Sequence, residues 1–347
     1  MSETRIRIGI VGATGAVGRV ALSLLEERGW PASDVVALAS ARSKGKWLPY
    51  ADTELEVVET TPETLEGFDV VFISASSAVS REFAPIVVEK GGLVIDDGSA
   101  FRMEPEVPLV VPEVNGGDVL WHRGIISIPN CTTTPLVMVL DALRQLGAIE
   151  RVTVATYQAV SGTGAAAVAE LNEQTAAIAR GASPQVAVYP YQIAMNVLPH
   201  VDSFKDDGYT VEEHKMTNES RKILHDDGLR LSATCVRVPV PVGHSEAVHV
   251  DLDRSIEESD IRAALNAFPG VTVVDDPQRT LYPMPHTAEG KDEVLVGRIR
   301  RDMSSPRGIA FWLSCDNLRK GAALNALQIM DEVIRRDALS PAATHKA

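Results

Sequence analysis

Residues 127–136 read SIPNCTTTPL, an apolar strand that ends in a Pro-Asn corner, followed by Cys131, three threonines and a proline that opens a helical pattern. A thiol placed just ahead of a helix meets unpaired backbone N–H groups and the positive end of the helix dipole. Both stabilise a thiolate, and the same groups can hold an oxyanion once a carbonyl is attacked. Cys131 is therefore a candidate nucleophile. The competing reading of a free cysteine is a small buried hydrophobe, and it suits Cys235 and Cys315, which fall inside strand-like runs. A base working near neutral pH is most naturally a histidine. Of the eight in the chain, His244 stands apart, because VRVPVPVGHSEAV puts it on a glycine-proline turn, seven residues after Arg237 on what reads as the same strand. Arg237 sits among valines, where a bare charge is costly. Either a bound carboxylate or a structural salt bridge would account for it. GHSEA is not a GxSxG nucleophile elbow, which argues against serine hydrolysis.

A second constellation lies at the start of the chain. GIVGATGAVG places glycines at 9, 12, 15 and 18 between a strand and a helix, so that backbone N–H groups can approach a phosphate and the helix dipole favours its charge. Gly12, Thr14, Gly15, Ala16 and Val17 are the positions expected to face a dinucleotide; a tight turn without ligand is the plainer alternative. An NAD site wants an acid at the end of the second strand to bond the ribose 2′-hydroxyl. Here that end reads ASARSKGK. Ser40, Arg42, Ser43 and Lys44 are hydroxyl and cationic donors with no carboxylate among them, which suits a 2′-phosphate, so NADP is expected over NAD, unless Arg42 and Lys44 only form a solvated loop. In EEHKM, Glu212 and Lys215 are three apart on a helical pattern, which by default is a surface ion pair.

These residues need elements to hold them. IRIGIVG, DVVALAS (34–40), FDVVFIS (68–74), LVIDDGS (93–99) and GIISI (124–128) read as buried strands, and the stretches after the first and third read as helices. Strands alternating with helices imply a parallel sheet covered on both faces. After Pro135 an amphipathic helix is expected, with Leu136, Val139, Leu140, Leu143 and Leu146 on one face. From about residue 150 the pattern changes to alternating strands mixed with helices, which implies a second, α+β domain. The last helix, LRKGAALNALQIMDEVIRR, is strongly patterned, and the tail SPAATHKA reads as disordered.

Composition narrows the function classes. A chain of 347 residues with 45% apolar content can bury a sizeable core and exceeds one typical domain. Three cysteines without CxxC spacing argue against a disulfide scaffold or a metal site and suit a reducing cytoplasm. No apolar run reaches membrane-spanning length and no signal peptide pattern opens the sequence. A net charge of -14 disfavours nucleic acid and anionic lipid as partners.

Taken together, GATGAVG, SIPNCTTT, YQAVSGTG, QIAMNVLPH, EEHKM, CVRVPVPVGHSE and DNLRKGAALNALQI, in this order, resemble the aspartate-semialdehyde dehydrogenase family over essentially residues 5–336. The resemblance implies an α/β enzyme with a Rossmann-type dinucleotide-binding domain (1–130, rejoined by a C-terminal helix, 318–347) and an α+β catalytic and oligomerisation domain (131–317). It implies a homodimer or homotetramer that makes L-aspartate 4-semialdehyde from L-aspartyl 4-phosphate with NADPH, on the route to lysine, threonine and methionine. By position in the matching motifs, Cys131 corresponds to the nucleophile, His244 to the acid/base and Gln158 to a residue orienting the substrate. Arg237 would bind the substrate carboxylate and Glu212 its amino group, while Arg102, Asn130 and Lys215 would form the phosphate-binding set. The nearest rivals are N-acetyl-γ-glutamyl-phosphate reductase, expected to show Cys-Tyr-Pro after the nucleophile, and a non-catalytic NADP-binding regulator.

Overall fold

The structure, a computed structural model, describes residues 6–340. Contacts gather the chain into two units: residues up to Pro129 together with those from Ala322 onward, and Asn130–Gly321.

The first unit contains β1 (Ile8–Val11), α1 (Ala16–Glu27), β2 (Val35–Ala39), β3 (Trp47–Tyr50), β4 (Thr53–Glu56), β5 (Val58–Glu59), β6 (Val70–Ile73), α2 (Ser77–Glu89), β7 (Leu93–Asp96), α3 (Pro112–Asn115) and β8 (Ile125–Ser127). Six strands form one parallel sheet in the order β5-β2-β1-β6-β7-β8. Every residue of β1, β6 and β7 is buried, as uninterrupted apolar strands require when both faces are covered. The chain leaves β1 towards β2 on one side and later pairs β6 on the other. The strand order thus reverses at β1, which opens a crevice at the carboxyl ends of these strands. The hairpin β3–β4 is a feature the sequence patterns did not announce. It buries Leu48 and Tyr50 and leaves Trp47 and Pro49 exposed, and a proline in so short a run masks the strand signal.

The second unit contains α4 (Thr133–Arg144), β9 (Ile149–Gln158), α5 (Ala165–Ala179), α6 (Val211–Leu224), β10 (Leu231–Arg237), β11 (His244–Leu252), α7 (Glu258–Ala267), β12 (Val271–Val273), α8 (Pro285–Ala288), β13 (Val294–Arg301) and β14 (Gly308–Cys315). Its sheet is mixed, in the order β10-β9-β11-β14-β13-β12. The two outer pairs are parallel and the three inner pairings antiparallel.

Two expectations are corrected here. The helix α4 is not amphipathic, since every residue from Thr133 to Leu143 is buried. It also begins two residues before Pro135, which sits harmlessly in the first turn where its missing N–H has no intrahelical acceptor. Arg237 and His244 do not share a strand. Pro239 and Pro241 cannot donate to a ladder, so β10 ends at Arg237 and His244 opens β11, with β9 between them.

The register aligns what the strands carry. Arg237 pairs with Gln158, and His244 with Cys315, while Ser245 opposite Tyr157 brings His244 level with Gln158. Arg237, Gln158, His244 and Cys315 form one row, and Cys235, Thr156, Glu246 and Leu313 form the next row on that face, because side chains repeat every second residue.

The chain ends in α9 (Leu324–Arg335), entered through a π-helical turn over Arg319–Ala323. Leu327, Ile329, Met330 and Val333 join the core of the first unit with Ile8, Ile10 and Phe72. The helix is thus shorter than 318–347, and the tail from residue 341 lies outside the described residues.

Candidate active site

Cys131 stands at the corner ahead of α4. Its Sγ lies 3.2 Å from His244 Nε2 and 3.8 Å from Asn130 Oδ1. The corner is held through Asn130, whose backbone N–H donates to Glu219 Oε2 at 2.7 Å and whose carbonyl accepts from Thr134 N at 3.0 Å. The Asn130 amide donates to Thr132 Oγ1 and to Glu212 Oε1. Gly321 packs so closely that a Cβ there would lie 3.0 Å from Cys131 Cβ. The other two cysteines are fully buried, and burial pushes both thiols well above the usual range. They are inert hydrophobes.

His244 is fully buried, and burial, reinforced by Arg237, holds its pKa well below the usual imidazole value. The backbone N–H of Ala159 donates to Nδ1 at 3.0 Å. That nitrogen is therefore an acceptor, so the neutral ring carries its proton on Nε2, towards the sulfur. The turn before His244 is fixed by Asn317, which accepts from Gly243 N at 2.9 Å and bonds Ser161.

Arg237 is only 6% exposed. Its Nη1 donates to Ala159 O at 2.7 Å, its Nε is buried without a partner, and no described carboxylate forms an ion pair with it. A buried guanidinium so placed is costly unless an anion completes it. Space for that anion is kept by Gly162, where a Cβ would come within 3.1 Å of Arg237 Nη1 and 3.3 Å of His244 Nε2.

Gln158 is oriented at both ends, accepting from Thr156 Oγ1 and donating to Glu212 Oε1, each at 2.9 Å. Glu212 is buried, and its Oε2 meets Lys215 Nζ at 3.2 Å. Burial opposes its ionisation, but Lys215, Asn130, Gln158 and Arg237 together outweigh burial and hold the carboxyl below its usual value. The pair at Glu212 and Lys215 is thus internal on the glutamate side. Lys215 also reaches Asp202 Oδ2 at 2.8 Å. The helix that carries them, α6, starts with a capping box between Thr210 and Glu213.

Hydrogen bonds and close contacts therefore join Cys131, Asn130, Gln158, Glu212, Lys215, Arg237 and His244 in the second unit. Arg102 lies in the first, buried at 6% exposure, with Nη2 donating to Asp97 O at 2.7 Å. Sequence reasoning missed Glu219, Thr156, Asn317, Gly162 and Asp202. Glu219 was detectable, since it follows Glu212 by seven residues and so shares its helical face. The others are recognisable only once the chain is folded.

In the first unit Gly12 has φ +87, and a Cβ there would sit 2.0 Å from Ser74 O; at Gly18 a Cβ would lie 2.3 Å from Gly12 O. Only glycines allow this turn. Gly12, Thr14, Gly15 and Ser40 line a cleft, while Ala16 and Val17 open α1, whose N-cap Gly15 offers no side-chain acceptor to the first-turn N–H groups. Arg42 and Ser43 sit just beyond, in a tight turn over Ala41–Ser43, and no Asp or Glu occurs between Ala39 and Asp52. These donors fit the phosphates of NADP. Lys44, expected with these donors, is instead paired with Glu59 at 3.3 Å. Among the described residues no cluster of acids, histidines or cysteines could hold a metal ion, and no helix is long and apolar enough to cross a membrane.

Residues 7–121 match the family model of the semialdehyde dehydrogenase NAD binding domain, and residues 140–320 that of the semialdehyde dehydrogenase dimerisation domain. The chain is 48% identical to an aspartate-semialdehyde dehydrogenase of Aquifex aeolicus over 95% of its own length and 98% of that protein's. Among solved structures, aspartate semialdehyde dehydrogenase II of Vibrio cholerae, complexed with ASA, superposes with a TM-score of 0.92 at 39% identity, covering 96% of this chain and 99% of that one. The enzyme of Candida albicans, solved with NADP, gives a TM-score of 0.74 at 26% identity over 96% and 100% of the two chains.

Proposed function

The chain belongs to the aspartate-semialdehyde dehydrogenase family, which converts L-aspartyl 4-phosphate to L-aspartate 4-semialdehyde with NADPH, and on that premise we propose that Cys131 carries the acyl group as a thioester. The observation that carries this reading is the 3.2 Å contact between Cys131 Sγ and a His244 ring protonated on Nε2. The thiolate attacks the acyl carbon, the carbon–oxygen bond to phosphate breaks, and phosphate leaves with the electron pair, taking a proton from solvent to become hydrogen phosphate. NADPH, when bound at the glycine turn, supplies the hydride that reduces the thioester carbonyl. The Nε2–H of His244 hydrogen-bonds first to the sulfur anion and then to the oxyanion formed on the substrate, whose collapse expels Cys131 and releases the aldehyde.

Arg237, buried and lacking an anionic partner, holds the substrate carboxylate; Gly162 keeps the space open. Glu212 receives the substrate ammonium on Oε2 beside Lys215, because its other oxygen is filled by Asn130 and Gln158. Lys215 and Asn130 bind phosphate. Ser40, Arg42 and Ser43 take the 2′-phosphate of NADP. Two copies pair through the sheet face that carries Tyr157 and Trp312, whose rings lie 5.0 Å apart with Tyr157 37% exposed. The three free cysteines suit a reducing cytoplasm.

The test is phosphate-dependent reduction of NADP with L-aspartate 4-semialdehyde and N-acetyl-L-glutamate 4-semialdehyde side by side. The first is expected to turn over at least about 100-fold faster in kcat/KM, since an acylated nitrogen brings no positive charge to the buried Glu212 carboxylate. Equal rates would overturn the substrate assignment.

A further inference from the structure

Lys215 sits between two carboxylates of unlike character. Glu212 Oε2, at 3.2 Å, belongs to a side chain 7% exposed whose other oxygen is already occupied by two amide donors. Asp202 Oδ2, at 2.8 Å, belongs to a side chain 37% exposed. Asp202 is also fixed in place. It has the left-handed φ of +66, its Oδ1 accepts from Ser203 N at 2.8 Å, and it follows Leu198 by four residues, whose backbone bonds that of Arg237 in both directions. The loop is thus tethered to the strand end that carries the buried guanidinium.

An anion that binds the Lys215 ammonium competes with these partners for its charge. Removing Glu212 would strand a buried charge, whereas Asp202 can exchange its ion pair for water at little cost. We propose that Asp202 is the resting counter-ion of Lys215, that phosphate takes its place on binding, and that Asp202 thereby limits how tightly the site retains phosphate. The inference rests on the assignment of Lys215 to phosphate made above. It gives Asp202 a positioning role in phosphate release, which must occur once in every biosynthetic turnover.

The experiment measures inhibition of the biosynthetic reaction by inorganic phosphate in the full-length enzyme. Asp202→Asn removes the competing charge, and asparagine tolerates the left-handed backbone and still offers an oxygen to Ser203 N. Its inhibition constant for phosphate is expected to fall roughly two- to fivefold, the range of an exposed ion pair. Asp202→Gly, neutral and equally at ease with this φ, should shift it the same way. A loosened loop would weaken phosphate binding, so tighter binding is the readout that separates the proposal from structural damage. Lys215→Gln should raise the constant and erase the effect of adding Asp202→Asn. If Lys215→Gln leaves phosphate inhibition untouched, the assignment of Lys215 fails and this inference with it. If Lys215→Gln weakens inhibition while neither Asp202 variant tightens it, Lys215 stands and the role of Asp202 is overturned.

Discussion

The cleft of the first unit and the side-chain cluster of the second are built from different material. In the first, a glycine turn and the uncapped start of α1 present main-chain groups, and small or apolar side chains such as Thr14, Ser40, Ser74 and Val79 complete the lining. In the second they are side chains from the corner before α4, from α6, and from the ends of β9, β10 and β11, tied by hydrogen bonds that pass through Asn130, Gln158 and Glu212. A backbone cradle depends on the absence of side chains, and a side-chain cluster on the presence of particular ones. The two should therefore fail in different ways.

The sharpest separation comes from Cys131→Ser. Turnover should fall by at least about 10³-fold while NADPH affinity, read by fluorescence titration, stays at the parent value. Residual activity near the parent rate would dismiss the covalent route. Gly12→Ala attacks the other site: a methyl 2.0 Å from Ser74 O, at a φ of +87, costs about 1–2 kcal/mol in backbone alone, so NADPH should bind about tenfold or more weakly. The rate at which iodoacetamide alkylates Cys131 should not change. A smaller effect is expected for Arg42→Ala, which should narrow the preference for NADP over NAD about tenfold in kcat/KM; an unchanged preference would return the 2′-phosphate to other donors.

The smallest effect lies beneath the side-chain cluster, at Glu246 in the row next to His244. Both of its oxygens are buried without a partner, and burial pushes its pKa well above the carboxylate range. Above its unfolded value of about 4.3 the folded chain holds a proton that the unfolded chain has lost, so stability declines as pH rises. Glu246→Gln has no proton to lose. Its Tm should exceed that of the parent by a margin that widens between about pH 5 and pH 8, whereas a constant margin would mean that the carboxyl is ionised.

The same contrast explains what the sequence could disclose. The glycine turn is local, since its strand, its spacing and its helix are contiguous, and the parallel sheet follows from uninterrupted apolar strands. The thiol before α4 was equally readable. What stayed hidden depends on register: Gln158 and His244 become neighbours only because β9 and β11 run antiparallel with Ser245 facing Tyr157. The reading of Arg237 and His244 as one strand failed because the valines between them outweighed the two prolines. The reading of α4 as amphipathic failed because Thr133, Thr134 and Asp141 are polar residues that the fold nevertheless encloses.

The hydrogen bond from Ala159 to the imidazole has a longer reach. Its donor is an amide of the main chain, which no exchange of side chains short of proline can delete. Relatives that swap the surrounding residues in search of a new acyl substrate would inherit the same ring orientation and the same proton, provided the bend after β9 is preserved. Substrate preference can therefore drift while the direction in which the imidazole offers its hydrogen remains fixed by descent.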